Sequence, residues 1–293
     1  MVPEDQLRFV SSALLGLVIL STVTNLAGAT PPSTVKIDRM YVFGDSYSDI
    51  GEGYLDGNGP TAVAYLADRL GFKLYPSNTP NPANKSLDYA VSGAQSGESK
   101  GKRVKDALVG YGMRNQVADF AAKVQSHEIE FDPTTTLFFI AGGLNDGSLP
   151  DGTTAANEKD EIRTLYALGA RRFAVALLTE TIPGFGANGQ KINPSLKTIP
   201  AELNAELKDA DIKLSHWGAF YDEVLANPEQ YGINNTKDAC AQRAILGQDP
   251  TPCATPDRYY FYHSQHPSTA THKAVGDKLY AEITGASPDP TAK

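Results

Sequence analysis

Residues 134–141 read TTTLFFIA, and the chain then turns at Gly142-Gly143 into Leu144-Asn145-Asp146. Five apolar residues in succession, closed by two glycines, describe a short strand buried on both faces. The pattern recurs elsewhere. Residues 36–43 (KIDRMYVF) end in an apolar burst and stop at Gly44, residues 87–91 (LDYAV) precede Ser92-Gly93-Ala94, and residues 172–178 (RFAVALL) form another apolar run. Helical spacing appears between these runs. Val63, Leu66 and Leu70 align within 60–70, Val117, Phe120, Ala121 and Val124 within 115–124, and Ile162, Leu165 and Leu168 within 155–168. Leu203, Leu207 and Leu214 predict one helix over 200–214, and Val275, Leu279 and Ile283 another over 269–283. Strands alternating with helices imply a parallel sheet covered on both faces. Ligands of such sheets sit at the carboxyl ends of the strands.

Composition narrows the function classes. The 293 residues are 41% hydrophobic and 20% charged, which is ordinary for a folded domain. Acidic residues outnumber basic ones by 34 to 26, and no long Lys/Arg run is present, so nucleic acid is a poor partner. The two cysteines cannot build a four-cysteine zinc site.

The amino-terminal region stands apart. Residues 9–20 (FVSSALLGLVIL) are apolar but short of the roughly 20 residues of a membrane span. Small residues follow at Leu26-Ala27-Gly28-Ala29-Thr30. This layout predicts a secretory signal over residues 1–29 and one domain over 30–293, with no stable membrane insertion after cleavage. Export to an oxidising compartment in turn predicts that Cys240 and Cys253 pair and close a small rigid loop.

Four polar clusters end predicted elements: Gly44-Asp45-Ser46-Tyr47-Ser48-Asp49, Ser92-Gly93-Ala94, Gly142-Gly143-Leu144-Asn145-Asp146, and His263-Ser264-Gln265-His266-Pro267. Together they meet the needs of acyl transfer. A serine hydroxyl requires a base to take its proton, which His266 can do for Ser46. The tetrahedral oxyanion requires fixed donors, which the Ser46 amide, the Gly93 amide and the Asn145 side chain supply. A helix starting after Ser46 would add the favourable end of its dipole. Taken singly, these residues carry plainer readings: Ser46 as a helix cap, Asn145-Asp146-Gly147 as a turn, Gly93 as a tight bend. Asp49, three residues after Ser46, reads first as a capping-box acid. His263, His266 and His272 lack the spacing and partners of a zinc site.

The four ordered blocks GDSYSD, the Gly93 block, GGLND and His266-Pro267 resemble those of the SGNH, or GDSL, hydrolases, secreted lipase/esterase branch. The resemblance spans essentially the whole chain after residue 29. It implies a flavodoxin-like three-layer α/β/α sandwich with a central, mostly parallel sheet of about five strands. It also implies a secreted carboxylic ester hydrolase working through an acyl-serine, with no metal or cofactor, on short-chain, acetyl or lipid esters. Ser46 and His266 would be catalytic, with Ser46, Gly93 and Asn145 forming the oxyanion hole. One position departs from the pattern: the family commonly has Asp three residues before the histidine, and here His263 stands there. Three arrangements follow. A backbone carbonyl orients His266 in a working Ser–His dyad, which ranks first. Another acid substitutes, Asp257 being the nearest upstream. Or turnover is weak, leaving a carbohydrate- or lipid-binding relative. An acyltransferase using the same serine is a further alternative.

Overall fold

The apolar runs at 36–43, 134–141 and 172–178 enter one sheet side by side in the computed structural model, which describes residues 36–286. The predicted signal segment lies outside the described residues. In chain order the elements are β1 (Arg39–Gly44), α1 (Ala62–Arg69), β2 (Leu74–Pro76), β3 (Ser86–Asp88), β4 (Lys100–Val104), β5 (Ala107–Tyr111), α2 (Met113–Gln125), β6 (Thr136–Ala141), α3 (Thr153–Ala167), β7 (Arg172–Ala176), α4 (Gly186–Leu196), α5 (Ile199–Glu206), β8 (Asp211–Ser215), α6 (Trp217–Ala226), β9 (Asn235–Ala239), β10 (Tyr259–His263), β11 (His266–Pro267) and α7 (Thr269–Thr284).

The central sheet has six parallel strands in the order β2-β3-β1-β6-β7-β8. That is one more than the expected five or so. Phe138 and Phe139 are neighbours on β6, so their side chains leave opposite faces of the sheet, yet both are fully inaccessible. Both faces are therefore covered. Helices α1, α7 and α6 pack together in one layer, and α2, α3, α4 and α5 in the other. Below the second layer, Phe138 packs against the rings of Tyr41, Phe120, Phe131 and Phe173.

The helix expected over 200–214 is two elements. Its first half is α5; the chain then turns through Asp209, whose φ is +68°, and continues as edge strand β8. Asn204 makes this turn worthwhile: its side chain donates to the Ile212 carbonyl at 2.9 Å and accepts the Ile212 amide at 3.0 Å. Leu203 and Leu207 are buried as a helical face would have them, but Leu214 belongs to the β8 ladder opposite Val175.

Beyond the carboxyl ends of the central strands lie two smaller pieces. One is the β4–β5 hairpin; the other is a three-stranded sheet of order β11-β10-β9. The disulfide Cys240–Cys253 closes the segment between β9 and β10. The aromatic run 259–262 forms β10, where buried Tyr260 donates to the Tyr221 carbonyl at 2.9 Å and so fastens this sheet to α6.

Candidate active site

Ser46 follows β1 by two residues. The chain needs Gly44 there: a Cβ on it would lie 2.6 Å from the Ala141 carbonyl of the adjacent strand. Gln116 from α2 pins the same point, accepting the Gly44 amide at 3.0 Å and donating to the Gly44 carbonyl at 2.9 Å. No helix starts at Ser46. Instead the Ser48 and Asp49 amides both reach back to the Asp45 carbonyl in a single turn, and the next helix begins at Ala62. The expected helix dipole is thus absent at Ser46, and local amides remain as the donors.

His266 reaches the same place from 220 residues away. Its Nε2 lies 2.9 Å from Ser46 Oγ. Both residues are 95% inaccessible. The imidazole is held on three sides. Its Nδ1 lies 3.0 Å from the Ser264 carbonyl, and the rings of Tyr47 and Phe185 pack against it. The Tyr47 hydroxyl in turn donates to the Gln265 carbonyl at 2.7 Å. Since a carbonyl only accepts, Nδ1 carries the hydrogen and the Nε2 lone pair faces the serine. Burial pushes His266 below its ordinary value, against the pull of the Asp56 carboxylate and the Ser264 carbonyl. The ring is therefore neutral and basic at pH 7.

The two predicted oxyanion segments meet each other, and the first is tied to the Ser46 loop through the Ser92 amide and Asp49. Gly93 has φ +78°, and a Cβ there would press on Val109 of β5 at 3.2 Å, so both conformation and space call for glycine. The Asn145 side chain donates one hydrogen to the Ala94 carbonyl at 2.9 Å, tying the β6 end to the Gly93 segment and leaving its second hydrogen. Gly93 and Asn145 share the wall of a cavity of about 410 Å³ with Gln95, Ser99, Lys102 and Val109.

Asp49 does something other than cap a helix. Its carboxylate accepts the amides of Gly51 at 2.8 Å, Gly53 at 3.2 Å and Ser92 at 2.8 Å. It thereby locks the Ser46 loop to the segment carrying Gly93. Burial still raises it to about 6, and burial with nearby Asp146 and Asp49 raises Asp45 to about 7 despite the Tyr47 amide.

The acid nearest the imidazole is Asp56, which sequence reasoning missed. Asp257 does not join the group; it lies exposed on the short turn Pro256–Arg258. Asp56 lies in the segment between β1 and α1, 97% inaccessible. Its Oδ1 is 2.7 Å from His263 Nδ1, and its Oδ2 contacts Arg243 and stands 3.4 Å from His266 Nε2. His263 thus joins the site through Asp56 rather than through the His266 ring. Its signal in the sequence was its place three residues before His266, and on β10 it pairs across from His266 on β11. Asp56 had none, because nothing in the spacing of a loop acid reports what it faces.

Of the remaining histidines, His272 serves packing, while His127 and His216 are exposed. His272 is buried on α7 beside the Tyr221 hydroxyl at 2.7 Å, and burial drives it down to about 3. His216 contacts Glu282. Among the described residues, no group of three or more His, Cys, Asp or Glu side chains is arranged to hold a metal ion.

A buried serine and imidazole are in contact at the carboxyl edge of the parallel sheet of an α/β sandwich, a candidate site for hydrolysis. Residues 40–279 match the model of the GDSL-like lipase/acylhydrolase family, and the chain belongs to that family, the SGNH hydrolases, as a carboxylic ester hydrolase. Among its relatives is a GDSL esterase/lipase of Arabidopsis thaliana, 24% identical over 275 residues, covering 76% of this chain and 75% of the relative. A second from the same plant is 25% identical over 356 residues and covers 92% of each. The thermolabile hemolysin of Vibrio parahaemolyticus is 23% identical, covering 83% of this chain and 63% of its own. A solved lipolytic G-D-S-L family member from Veillonella parvula aligns with a TM-score of 0.45 at 16% identity, over 82% of this chain and 94% of that one.

Proposed function

We propose that this chain is an exported serine esterase that hydrolyses short-chain or acetyl carboxylic esters through an acyl-Ser46 intermediate. The carrying observation is the 2.9 Å contact between Ser46 Oγ and His266 Nε2, with Nδ1 committed to the Ser264 carbonyl. In acylation His266 takes the serine proton as Oγ attacks the ester carbonyl. The negative charge moves to the carbonyl oxygen, where the amides of Ser46 and Gly93 and the free hydrogen of Asn145 receive it. The protonated ring then gives the same proton to the leaving alcohol. Water repeats the cycle on the acyl-serine and frees the acid.

The surroundings support a short acyl group. The cavity that Gly93 and Asn145 line, though not Ser46 or His266, also carries Gln95, Ser99 and Lys102 as well as Val109, a mixed lining that suits a polar ester better than a long alkyl chain. A larger apolar cavity of about 650 Å³ lies elsewhere, between α1 and β2, and none of Ser46, Gly93, Asn145 or His266 lines it. Export rests on the apolar run and small-residue site within residues 1–29 and agrees with the formed disulfide. No helix among the described residues is long and apolar enough to cross a membrane.

A panel of p-nitrophenyl esters from acetyl upward, run beside acetylated polysaccharide, tests the substrate. Turnover should be highest at the acetyl end. Ser46→Ala should abolish both hydrolysis and labelling by a fluorophosphonate, and turnover surviving in that variant would overturn the acyl-serine reading.

A further inference from the structure

Two groups charge the surroundings of His266, and both are placed by segments outside the central sheet. Asp56 presents Oδ2 at 3.4 Å to Nε2, the same nitrogen that faces Ser46. It does not approach Nδ1, which the Ser264 carbonyl occupies. The carboxylate therefore does not hold the Nδ1 hydrogen. It stands instead where the serine proton arrives. Burial works to raise Asp56, but the His263 hydrogen bond and the charges of His266 and Arg243 outweigh it and hold the carboxyl below its ordinary value.

Arg243 comes from the cystine loop. Cys240 and Cys253 close that loop, and the Lys105 ammonium at the tip of the β4–β5 hairpin fastens its Ala244 carbonyl. The guanidinium lies near the Tyr54 ring and sets its Nη2 on Asp56 Oδ2. The groups facing His266 are thus Asp56 from the first loop, Arg243 from the cystine loop, His263 from β10, the Ser264 carbonyl, the Tyr47 and Phe185 rings, and neutral His272 from α7.

We propose that Asp56 and Arg243 are positioning residues of the reaction: Asp56 is the counter-charge for the imidazolium formed when His266 takes the Ser46 proton, and Arg243, delivered by the cystine loop, aims that carboxylate and balances its charge. The proposal rests on the acyl-serine reading above. In each half-reaction the serine or water O–H bond breaks and the Nε2–H bond forms. Asp56 stays ionised throughout and returns no proton, so the carboxylate acts by charge alone.

The two charges act on His266 with opposite sign, which gives the test. The dependence of kcat/KM on pH is measured with p-nitrophenyl acetate for the full chain and for Asp56→Asn, Arg243→Gln and Arg243→Lys. Asp56→Asn should lower kcat/KM about 10²-fold, less than the ~10⁴ seen where a carboxylate also sets the tautomer. Its acid limb should move to lower pH, because the charge that favours imidazolium is gone. Arg243→Gln should move the limb to higher pH, and Arg243→Lys should leave it near the wild-type position. Limbs that stay fixed, or that move in the same direction in Asp56→Asn and Arg243→Gln, overturn the proposal. If Asp56→Asn does not fold, the upward shift in Arg243→Gln and its absence in Arg243→Lys decide alone. Ser46-dependent labelling, checked in every variant, separates this outcome from failure of the acyl-serine reading.

Discussion

His266 Nδ1 lies 3.0 Å from the carbonyl oxygen of Ser264, two residues earlier in its own chain. That contact does the tautomer-setting work commonly done by an aspartate, and it costs the protein no buried charge. It also predicts the effect of restoring the family pattern. His263 is 96% inaccessible and bonded to Asp56, so His263→Asp would set two carboxylates against each other in a desolvated place. The variant should hydrolyse p-nitrophenyl acetate at least about tenfold more slowly than wild type at pH 7, with His263→Asn less impaired. Activity above wild type would show that the backbone carbonyl is an inferior substitute for an acid.

The acid limb of kcat/KM should fall below the ordinary imidazole value of 6.5, since burial lowers His266 more than Asp56 and Ser264 raise it. Half-maximal kcat/KM at or above pH 6.5 would contradict this.

The proposed oxyanion segment is held by two devices that can be removed separately. Asn145→Ala deletes a donor and the tie to Ala94, and it should lower kcat by about 10²–10³-fold with little effect on KM. Asp49→Asn keeps an acceptor but loses the charge that gathers three amides, so it should lower kcat less than Asn145→Ala. Equal rates in wild type and Asn145→Ala would remove the side chain from the oxyanion hole.

How much of this was legible beforehand divides along physical lines. Strands β1, β6 and β7 are buried on both faces, and continuous apolar runs announce them. Edge strand β8 was not visible, because Leu214 continues the helical spacing of Leu203 and Leu207, and only the long-range bond of Asn204 to Ile212 chooses between the two forms. Ser46, Gly93, Asn145 and His266 stand at element ends, where short motifs carry meaning. Asp56 sits in a loop, and its place depends on Arg243 and His263, 187 and 207 residues further on. No local pattern encodes such a meeting.

Stability should respond to pH through Asp45. Its folded-state value is raised from 3.8 to about 7, burial being the largest cause. The folded protein therefore holds this proton more tightly than the unfolded chain does. Asp45 contributes fully to stability below about pH 4, and the contribution is lost as pH rises through about 7. Asp49, raised to about 6, acts with the same sign over a narrower window. His272, driven down to about 3, opposes them, since the unfolded chain gains its proton below 6.5. Asp45→Asn isolates the first term because its amide cannot ionise while its oxygen still accepts the Tyr47 amide. Urea midpoints of wild type and Asp45→Asn should converge near pH 4 and separate as pH rises. By pH 8 the variant should have gained about 4 kcal/mol relative to wild type. A difference between the two that stays constant from pH 4 to pH 8 would mean that Asp45 is ionised throughout and that the turn around Ser46 tolerates a buried charge.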